Sequence, residues 1–151
     1  VGEGPFPTEL FDETGEMLRK IGHEFGATTG RPRRCGWLDL VALKYTVMMN
    51  GATSLIMMKS DVLNDFETIK VCVGYELNGE AIDYFPFEAD ADNIKPIYKE
   101  FPGWKCDVSV CRTYEELPKE LKEYIAYIEQ ETGVSIDVVS VGPDRSETIL
   151  R

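Results

Sequence analysis

Two short apolar runs, each preceded by a helical pattern and each followed by a polar turn, constrain the fold of this chain most strongly. Residues 53–58 are nearly all apolar, and residues 134–141 form a second such run. Runs of this kind predict buried strands, and the helix-strand order predicts an α/β sheet. Ligands of such sheets bind beyond the carboxyl ends of the strands. The turns at residues 59–61 and 140–142 are therefore expected to line one pocket.

The other elements follow from periodicity and turn signals. Alternating apolar residues followed by Asn78-Gly79 predict an antiparallel hairpin, and Asp39 is placed to cap a helix. We expect a mixed sheet with flanking helices, folded as a single compact unit. Apolar spacing predicts helices over residues 13–25, 40–49 and 118–132 and strands over residues 53–58, 69–77 and 134–141. Residues 94–104 are expected to contain a short strand and a turn at Pro102-Gly103. The expected core stripe of the last helix consists of Leu121, Tyr124, Ile125 and Ile128.

Charge and composition exclude several classes of function. The formal net charge of −11 opposes general nucleic-acid binding, which depends on clustered Lys and Arg. Neither a bilayer-spanning run nor a signal-peptide pattern is present, so we expect a soluble cytoplasmic protein without membrane partners. Because the first residue is Val1, a processed or truncated chain is expected.

Cysteine and histidine usage gives no metal or nucleophile motif. The four cysteines lack zinc-site spacing, so reduced and buried thiols are the expected state. His23, the single histidine, falls within the first predicted helix, and a structural role is favoured over catalysis. No metal site is predicted in this chain.

Residues 26–39, reading GATTGRPRRCGWLD, have the composition of an anion-binding loop. Thr28 and Thr29 supply hydroxyls, and Gly30 lets a backbone approach closely. Arg31, Arg33 and Arg34 place three cations within four positions, and arginine suits bidentate binding of carboxylate or phosphate. A basic surface patch is the alternative. The anion-binding interpretation is favoured because the rest of the chain is so acidic.

The turn at Lys59, Ser60 and Asp61 suggests recognition of a purine. A carboxylate at a strand end can accept two hydrogen bonds from adjacent ring N–H groups, an arrangement that guanine offers and adenine does not. Leaving such a carboxylate buried and unpaired costs about 1–3 kcal/mol, so adenine would be rejected. From spacing alone, an ordinary surface Lys-Asp turn is at least as good an interpretation.

Four segments carry a family resemblance, in order along nearly the whole chain. They are VGEGPFPTEL at residues 1–10, GATTGRPRRCGWLD, KSDVL at residues 59–63 and GPDRSET at residues 142–148. Together they resemble the C-terminal part of the adenylosuccinate synthetase family. The resemblance implies the C-terminal portion of a P-loop-NTPase-like ligase fold, lacking the phosphate loop, magnesium ligand and catalytic aspartate and histidine of the longer family members.

The resemblance also implies a reaction and a set of binding residues. The family joins L-aspartate to inosine monophosphate (IMP), with GTP phosphorylating the purine 6-oxygen, and it works as a cytoplasmic homodimer. Mg²⁺ would be bound through the missing N-terminal part, where all catalytic residues are also expected. By similarity, the aspartate carboxylates bind at Ala27, Thr28, Thr29, Gly30, Arg31, Pro32 and Arg33, IMP at Arg31 and Val1, and GTP at Arg33, Lys59, Ser60, Asp61, Ser140, Val141 and Gly142.

Three functional interpretations remain open. The first is a fragment of a GTP-dependent carbon-nitrogen ligase that is inactive by itself, and this one is favoured. The second is a stand-alone guanine-nucleotide-binding module without catalysis. The third is an interaction or structural domain, which failure of the complete protein to bind nucleotide and aspartate would support.

Overall fold

The computed structural model describes residues 4–87 and 93–151 of the chain. Within them the fold is α/β, with strands in two mixed sheets and with three α-helices, as the apolar pattern predicts. In chain order the elements are α1 (Glu13–Ile21), β1 (Leu38–Asp39), α2 (Leu40–Asn50), β2 (Ser54–Met57), β3 (Thr68–Leu77), β4 (Glu80–Ile82), β5 (Ile94–Pro102), α3 (Lys119–Thr132), β6 (Ser135–Ser140) and β7 (Thr148–Leu150).

The chain divides into two compact units, whereas the sequence predicts one. The first unit comprises the described residues of Val1–Ala42 and Lys70–Lys99, and the second comprises Leu43–Ile69 and Glu100–Arg151. The chain crosses between units within α2, β3 and β5. A pattern of apolar runs locates strands, but it does not tell which strands share a sheet, and this explains the difference.

The first unit is built around β3. Strand β1 pairs with it in parallel and β4 in antiparallel, while β5 also pairs with β3. The predicted hairpin is confirmed, because Asn78 and Gly79 have φ values of 52° and 88°, as a two-residue primed turn requires. Cys72 and Tyr75 are fully buried, so both faces of β3 are covered rather than the single face that alternation predicts.

The second unit packs α3 on the sheet β2-β6-β7. Strands β2 and β6 are parallel, with Met57 opposite Val139, and β7 returns antiparallel to β6. The predicted core stripe of α3 is confirmed, since Leu121, Tyr124, Ile125 and Ile128 are all buried. The helix ends where Gly133 adopts a left-handed conformation with φ 69°, which glycine tolerates without steric cost.

Helix α1 is shorter than its apolar spacing predicts. It begins after Asp12, whose side chain accepts a hydrogen bond from Gly15 N, and it ends at Ile21 rather than at residue 25. Gly22 closes the helix and His23 follows with φ 51°, which is incompatible with helical continuation. His23 is therefore exposed and outside the helix, and only Leu18 of the apolar stripe is buried.

Strand β2 is not covered on both faces, and this prediction is wrong for the described residues. Exposure alternates along the strand, and Ile56 is 61% exposed. The reason lies in the pairing, because β2 is at the edge of its sheet, next to β6 alone among the described strands. An apolar composition indicates a strand, but it does not show which surface covers it.

The four cysteines differ in burial. All four cysteines lie in the described residues, and none forms a disulfide. Cys35, Cys72 and Cys111 are buried as predicted, but Cys106 is exposed. In the described ranges, none of the helices has the length and apolar character needed to cross a membrane.

Candidate functional site

Residues 26–33, here called the arginine loop, project from a short antiparallel ribbon. Phe25 and Pro32 form the bridge, and two hydrogen bonds flank it, from Gly26 N to Arg31 O at 2.8 Å and from Arg33 N to Glu24 O at 2.9 Å. The tip closes through a hydrogen bond from Gly30 N to Gly26 O, with Gly30 at φ 63°. The arginine loop is therefore a compact turn on a hydrogen-bonded base.

The tip of the arginine loop is fully accessible. Ala27, Thr28, Thr29 and Gly30 are exposed, as are the three residues that follow them. The Thr29 hydroxyl accepts a hydrogen bond from Arg31 N at 3.3 Å, so one of the two predicted threonine ligands already orients the loop backbone. The hydroxyls and backbone groups of this tip remain open to a small anion.

The three arginines have different surroundings. Among the described residues, no hydrogen bond or ion pair engages the Arg31 guanidinium. Arg33 donates from Nη1 to Glu24 Oε2 at 2.8 Å and remains half-exposed. Arg34 instead forms an ion pair with Glu9 at 2.6 Å and stacks over Phe6. The predicted cradle therefore has two accessible arginines, Arg31 and Arg33, because Arg34 pairs with the N-terminal segment.

Close backbone packing holds the residues that follow the loop. The Thr8 hydroxyl donates to Trp37 O at 2.8 Å, and a Cβ on Gly36 would lie 2.1 Å from Thr8 O. Only glycine fits that approach. Trp37 is buried, as expected of a residue that anchors a loop.

Asp39 connects this base to the core of the first unit. Its Oδ1 accepts a hydrogen bond from Ala42 N at 3.0 Å, so the predicted helix cap is confirmed. Its Oδ2 accepts a second one from the Tyr75 hydroxyl at 2.6 Å. Burial, followed by the Asp39 contact, raises the pKa of Tyr75 far above its ordinary value. Tyr75 therefore stays a neutral donor, and the carboxylate keeps a fixed position.

The turns at residues 59–61 and 140–142, here called the strand-end turns, lie at one edge of the second sheet. The parallel register pairs Met57 with Val139, so both turns leave the sheet on the same side. After β2, Lys59 adopts φ 58°, a left-handed conformation that costs a non-glycine residue about 1–2 kcal/mol. A short 3-10 helix, Ser60–Leu63, follows it and contacts β6.

Two side-chain oxygens of this edge are buried without a partner. Ser60 Oγ and Asp61 Oδ1 receive no hydrogen bond within the part of the chain that the structure describes. An unpaired buried polar atom costs about 1–3 kcal/mol, so native proteins rarely retain one without a use. These two oxygens are therefore candidate partners for a ligand with adjacent N–H groups.

The turn after β6 is fixed by its own hydrogen bonds. Ser140 Oγ donates to Gly142 O at 3.0 Å, and Val141 N donates to Glu147 O at 2.9 Å. Asp144 and Glu147 form a reciprocal capping box, and the bonds from Ser146 lower the pKa of the Asp144 carboxyl. The Val141 side chain is fully buried. The whole residue is 0% exposed, so neither the side chain nor the backbone of Val141 is accessible in this structure.

The predicted residues thus fall into two groups. The arginine loop belongs to the first unit and the strand-end turns belong to the second. Val1, predicted to contact IMP, lies outside the described residues. No group of three or more His, Cys, Asp or Glu side chains in residues 4–87 and 93–151 is placed to hold a metal ion.

Three supporting residues escape the sequence patterns. Glu24 and Glu9 are the acidic partners of Arg33 and Arg34, and no local spacing identifies them. Asn64 Oδ1 accepts a hydrogen bond from Trp104 Nε1 at 3.1 Å and braces the end of the 3-10 helix. By contrast, the Asp144 to Glu147 spacing is a recognisable capping signature that could have located its turn.

Comparison with known proteins agrees with the resemblance in the sequence. A family model described as adenylosuccinate synthetase matches residues 1–149. Adenylosuccinate synthetases of Bacteroides fragilis and Flavobacterium johnsoniae are each 59% identical over 151 residues, which is 100% of this chain and 36% of each relative. The solved structure of fully ligated adenylosuccinate synthetase from Plasmodium falciparum matches with a TM-score of 0.93 and 40% identity, covering 100% of this chain and 37% of that one.

These comparisons bear on fold and family together. The match in structure extends over the entire chain, and it confirms the predicted fold class. The chain spans about 36% of the length of the curated relatives that it matches. Since the family model covers nearly every residue, this chain belongs to the adenylosuccinate synthetase family.

Proposed function

We propose that the complete polypeptide carrying this chain joins L-aspartate to IMP with GTP, giving adenylosuccinate, GDP and phosphate. Residues 1–151 would supply the aspartate loop and the guanine pocket, and this fragment alone would be inactive. The observation that carries the proposal is the unpaired, buried Asp61 Oδ1 beside Ser60 Oγ at the end of two parallel strands, in a chain of this family. The reaction would take place in the cytoplasm, in a homodimer.

The strand-end turns would select guanine. The Asp61 carboxylate would accept hydrogen bonds from the ring N–H and the exocyclic amino group of guanine. Adenine offers no such donor pair, so its binding would leave a buried carboxylate oxygen unpaired. Lys59 is exposed next to this position, and its aliphatic stem is suited to cover the base. Ser140, Val141 and Gly142 would complete the pocket.

The arginine loop would hold the anionic parts of the substrates. Arg31, with its guanidinium unengaged among the described residues, would bind an aspartate carboxylate and reach the IMP ribose. The backbone and hydroxyls of Ala27, Thr28, Thr29 and Gly30 would add donors, and Pro32 would restrict the loop. Arg33 would face GTP and place positive charge near the transferring phosphate. Holding the aspartate amine near carbon 6 would then raise the rate by proximity.

Magnesium would be bound by another part of the complete polypeptide, as the family resemblance implies. None of the roles proposed for residues of this chain involves contact with the ion. When bound by the rest of the polypeptide, Mg²⁺ would neutralise phosphate charge.

An assay of the complete polypeptide tests the proposal. With IMP, L-aspartate and GTP, we expect adenylosuccinate, GDP and phosphate in equal amounts. Omitting aspartate should abolish formation of adenylosuccinate, and ATP should replace GTP poorly. Equal rates with ATP and GTP, or no product from the three substrates, would refute the proposed reaction.

Calorimetry distinguishes a stand-alone guanine-nucleotide-binding module from an inactive fragment. The two unpaired oxygens lie within one unit, which favours some guanine binding by that unit itself. If the 151-residue chain binds GTP as tightly as the complete polypeptide does, the module interpretation is supported. If the affinity depends on the rest of the polypeptide, the fragment interpretation is supported.

A further inference from the structure

A carboxylate lies directly opposite one of the two accessible arginines of the arginine loop. In the antiparallel ribbon, Glu24 faces Arg33 and Gly26 faces Arg31. Directly opposed side chains of antiparallel strands contact each other. Arg33 therefore has a charged cross-strand partner, whereas Arg31 faces a residue without a side chain. The two arginines of the ribbon thus differ in their cross-strand neighbours.

Glu24 engages only one corner of the Arg33 guanidinium. Arg33 Nη1 donates to Glu24 Oε2 at 2.8 Å, and the Arg33 guanidinium makes no hydrogen bond or ion pair with any other described residue. The guanidinium carries five N–H donors in a rigid fork, so most of them stay available to an anion. The Arg33 side chain is 46% exposed, which leaves those donors accessible.

The backbone around this ion pair is fixed from three directions. Arg33 N donates to Glu24 O, and Glu24 N donates to Arg19 O, each at 2.9 Å. Arg19 Nε in turn donates to Arg33 O at 2.9 Å. This closed set of hydrogen bonds ties the ribbon to α1. The backbone that carries both side chains of the ion pair is therefore held in place, independently of the exposed loop tip.

We propose that Glu24 is a positioning residue that holds the Arg33 guanidinium so that its remaining donors face the GTP phosphates. This inference rests on the GTP role proposed above for Arg33. A long side chain that is already ordered loses less rotamer entropy when it binds a ligand. Glu24 thus strengthens GTP binding without touching GTP.

The opposite role, a latch that competes with phosphate, fits the geometry less well. A competing carboxylate would pair with two nitrogens of the fork, as strong arginine-carboxylate pairs do. The observed contact uses one nitrogen. The two roles predict opposite signs, because removal of a latch would lower the KM for GTP, whereas removal of a positioning residue would raise it.

The test uses Glu24→Ala, Glu24→Gln and Arg33→Ala in the complete polypeptide, with GTP and aspartate varied separately. We expect Glu24→Ala to raise the KM for GTP about fivefold, with the KM for aspartate unchanged. Glu24→Gln should recover part of the loss, because its amide oxygen still accepts the hydrogen bond. In the Arg33→Ala background, Glu24→Ala should have no further effect.

Controls separate this inference from the proposed function and from instability. Glu16→Ala removes a largely exposed ion pair with Lys20 on α1 and should change neither KM. If Arg33→Ala raises the KM for GTP and Glu24→Ala does not, or lowers it, the positioning role is wrong and the function of Arg33 stands. An equal Glu24→Ala effect without Arg33, or a loss that follows a lower melting temperature, also overturns it. An Arg33→Ala variant with unchanged KM for GTP overturns both.

Discussion

The arginine loop and the strand-end turns present polar groups to ligands in contrasting ways. The arginine loop carries its cations at the surface, on a ribbon that backbone hydrogen bonds hold in place. The strand-end turns instead bury Ser60 Oγ and Asp61 Oδ1 without partners among the described residues. An exposed cation loses little when its ligand leaves, because water solvates it again. A buried unpaired oxygen has no such compensation.

The difference in burial suits one region to discriminating between nucleotides and the other to binding substrate anions. A buried acceptor rejects a base that lacks matching donors, so small chemical differences have large effects on affinity. An exposed arginine attracts any carboxylate or phosphate of suitable shape. We therefore expect nucleotide identity to be read by the strand-end turns and substrate anions to be held by the arginine loop.

The largest expected effect comes from Asp61→Asn in the complete polypeptide. The amide would place a donor against a guanine N–H and lose the charge-assisted bonds, so the preference for GTP over ATP should fall about 100-fold. The ratio of kcat/KM for the two nucleotides measures it. The KM for aspartate should stay near the wild-type value. A variant that discriminates as well as the wild type would remove the reason for assigning Asp61 to guanine.

The next effect is expected from Arg31→Leu. Loss of a charge-assisted pair should raise the KM for aspartate about 30-fold while the GTP-to-ATP ratio remains unchanged. Steady-state kinetics with aspartate as the varied substrate measure the effect. An unchanged KM for aspartate would break the assignment of capture to the arginine loop.

Alanine substitutions at Gly36 and Gly103 test whether the two regions contribute to stability independently. A Cβ on Gly36 would lie 2.1 Å from Thr8 O, and a Cβ on Gly103 would lie 1.7 Å from Phe66 O. Each alanine variant should lose about 1–2 kcal/mol of stability through overpacking. Hydrogen exchange should increase around Thr8 in the first variant and around Phe66 in the second. Identical exchange patterns would show that the two regions do not respond independently.

The smallest effect concerns Cys72 in the core of the first unit. Burial, and then the charge of Asp39, raises the pKa of this thiol from its ordinary 9.0 to about 12. Since the folded pKa lies above the unfolded one, the stabilisation is complete below about pH 9 and is lost as pH rises towards about 12.

Urea unfolding of the complete polypeptide at pH 8 and pH 10 measures this dependence. Cys72→Ala should flatten the alkaline loss of stability, whereas Cys106→Ala, at an exposed site, should alter it less. An equal slope in the wild type and the Cys72→Ala variant would show that this thiol does not titrate differently on folding.

The elements that could be predicted are those determined by local sequence. The stripe of α3, the Asn78-Gly79 turn and the Asp39 cap each depend on a few neighbouring residues, and the structure confirms them. Apolar spacing makes helix α1 too long because it continues past Gly22, where backbone conformation ends the helix. The division into two units depends on strand pairing between distant segments, which local patterns do not encode.

The candidate site is predictable in composition but not in arrangement. Clustered arginines indicate an anion loop, yet the pairing of Arg34 with Glu9 joins residues far apart in the chain. The burial of Asp61 Oδ1 likewise follows from tertiary packing rather than from the Lys-Ser-Asp spacing. The assignment of individual residues to aspartate, IMP and GTP stays a prediction.

A crystal structure of the complete polypeptide with GTP would show directly whether the strand-end turns bind guanine. We predict guanine at the strand-end turns, with Asp61 Oδ1 accepting a hydrogen bond from the base at about 2.7–3.0 Å. If Asp61 Oδ1 is instead paired with a protein donor and guanine lies elsewhere, the strand-end turns do not select the nucleotide.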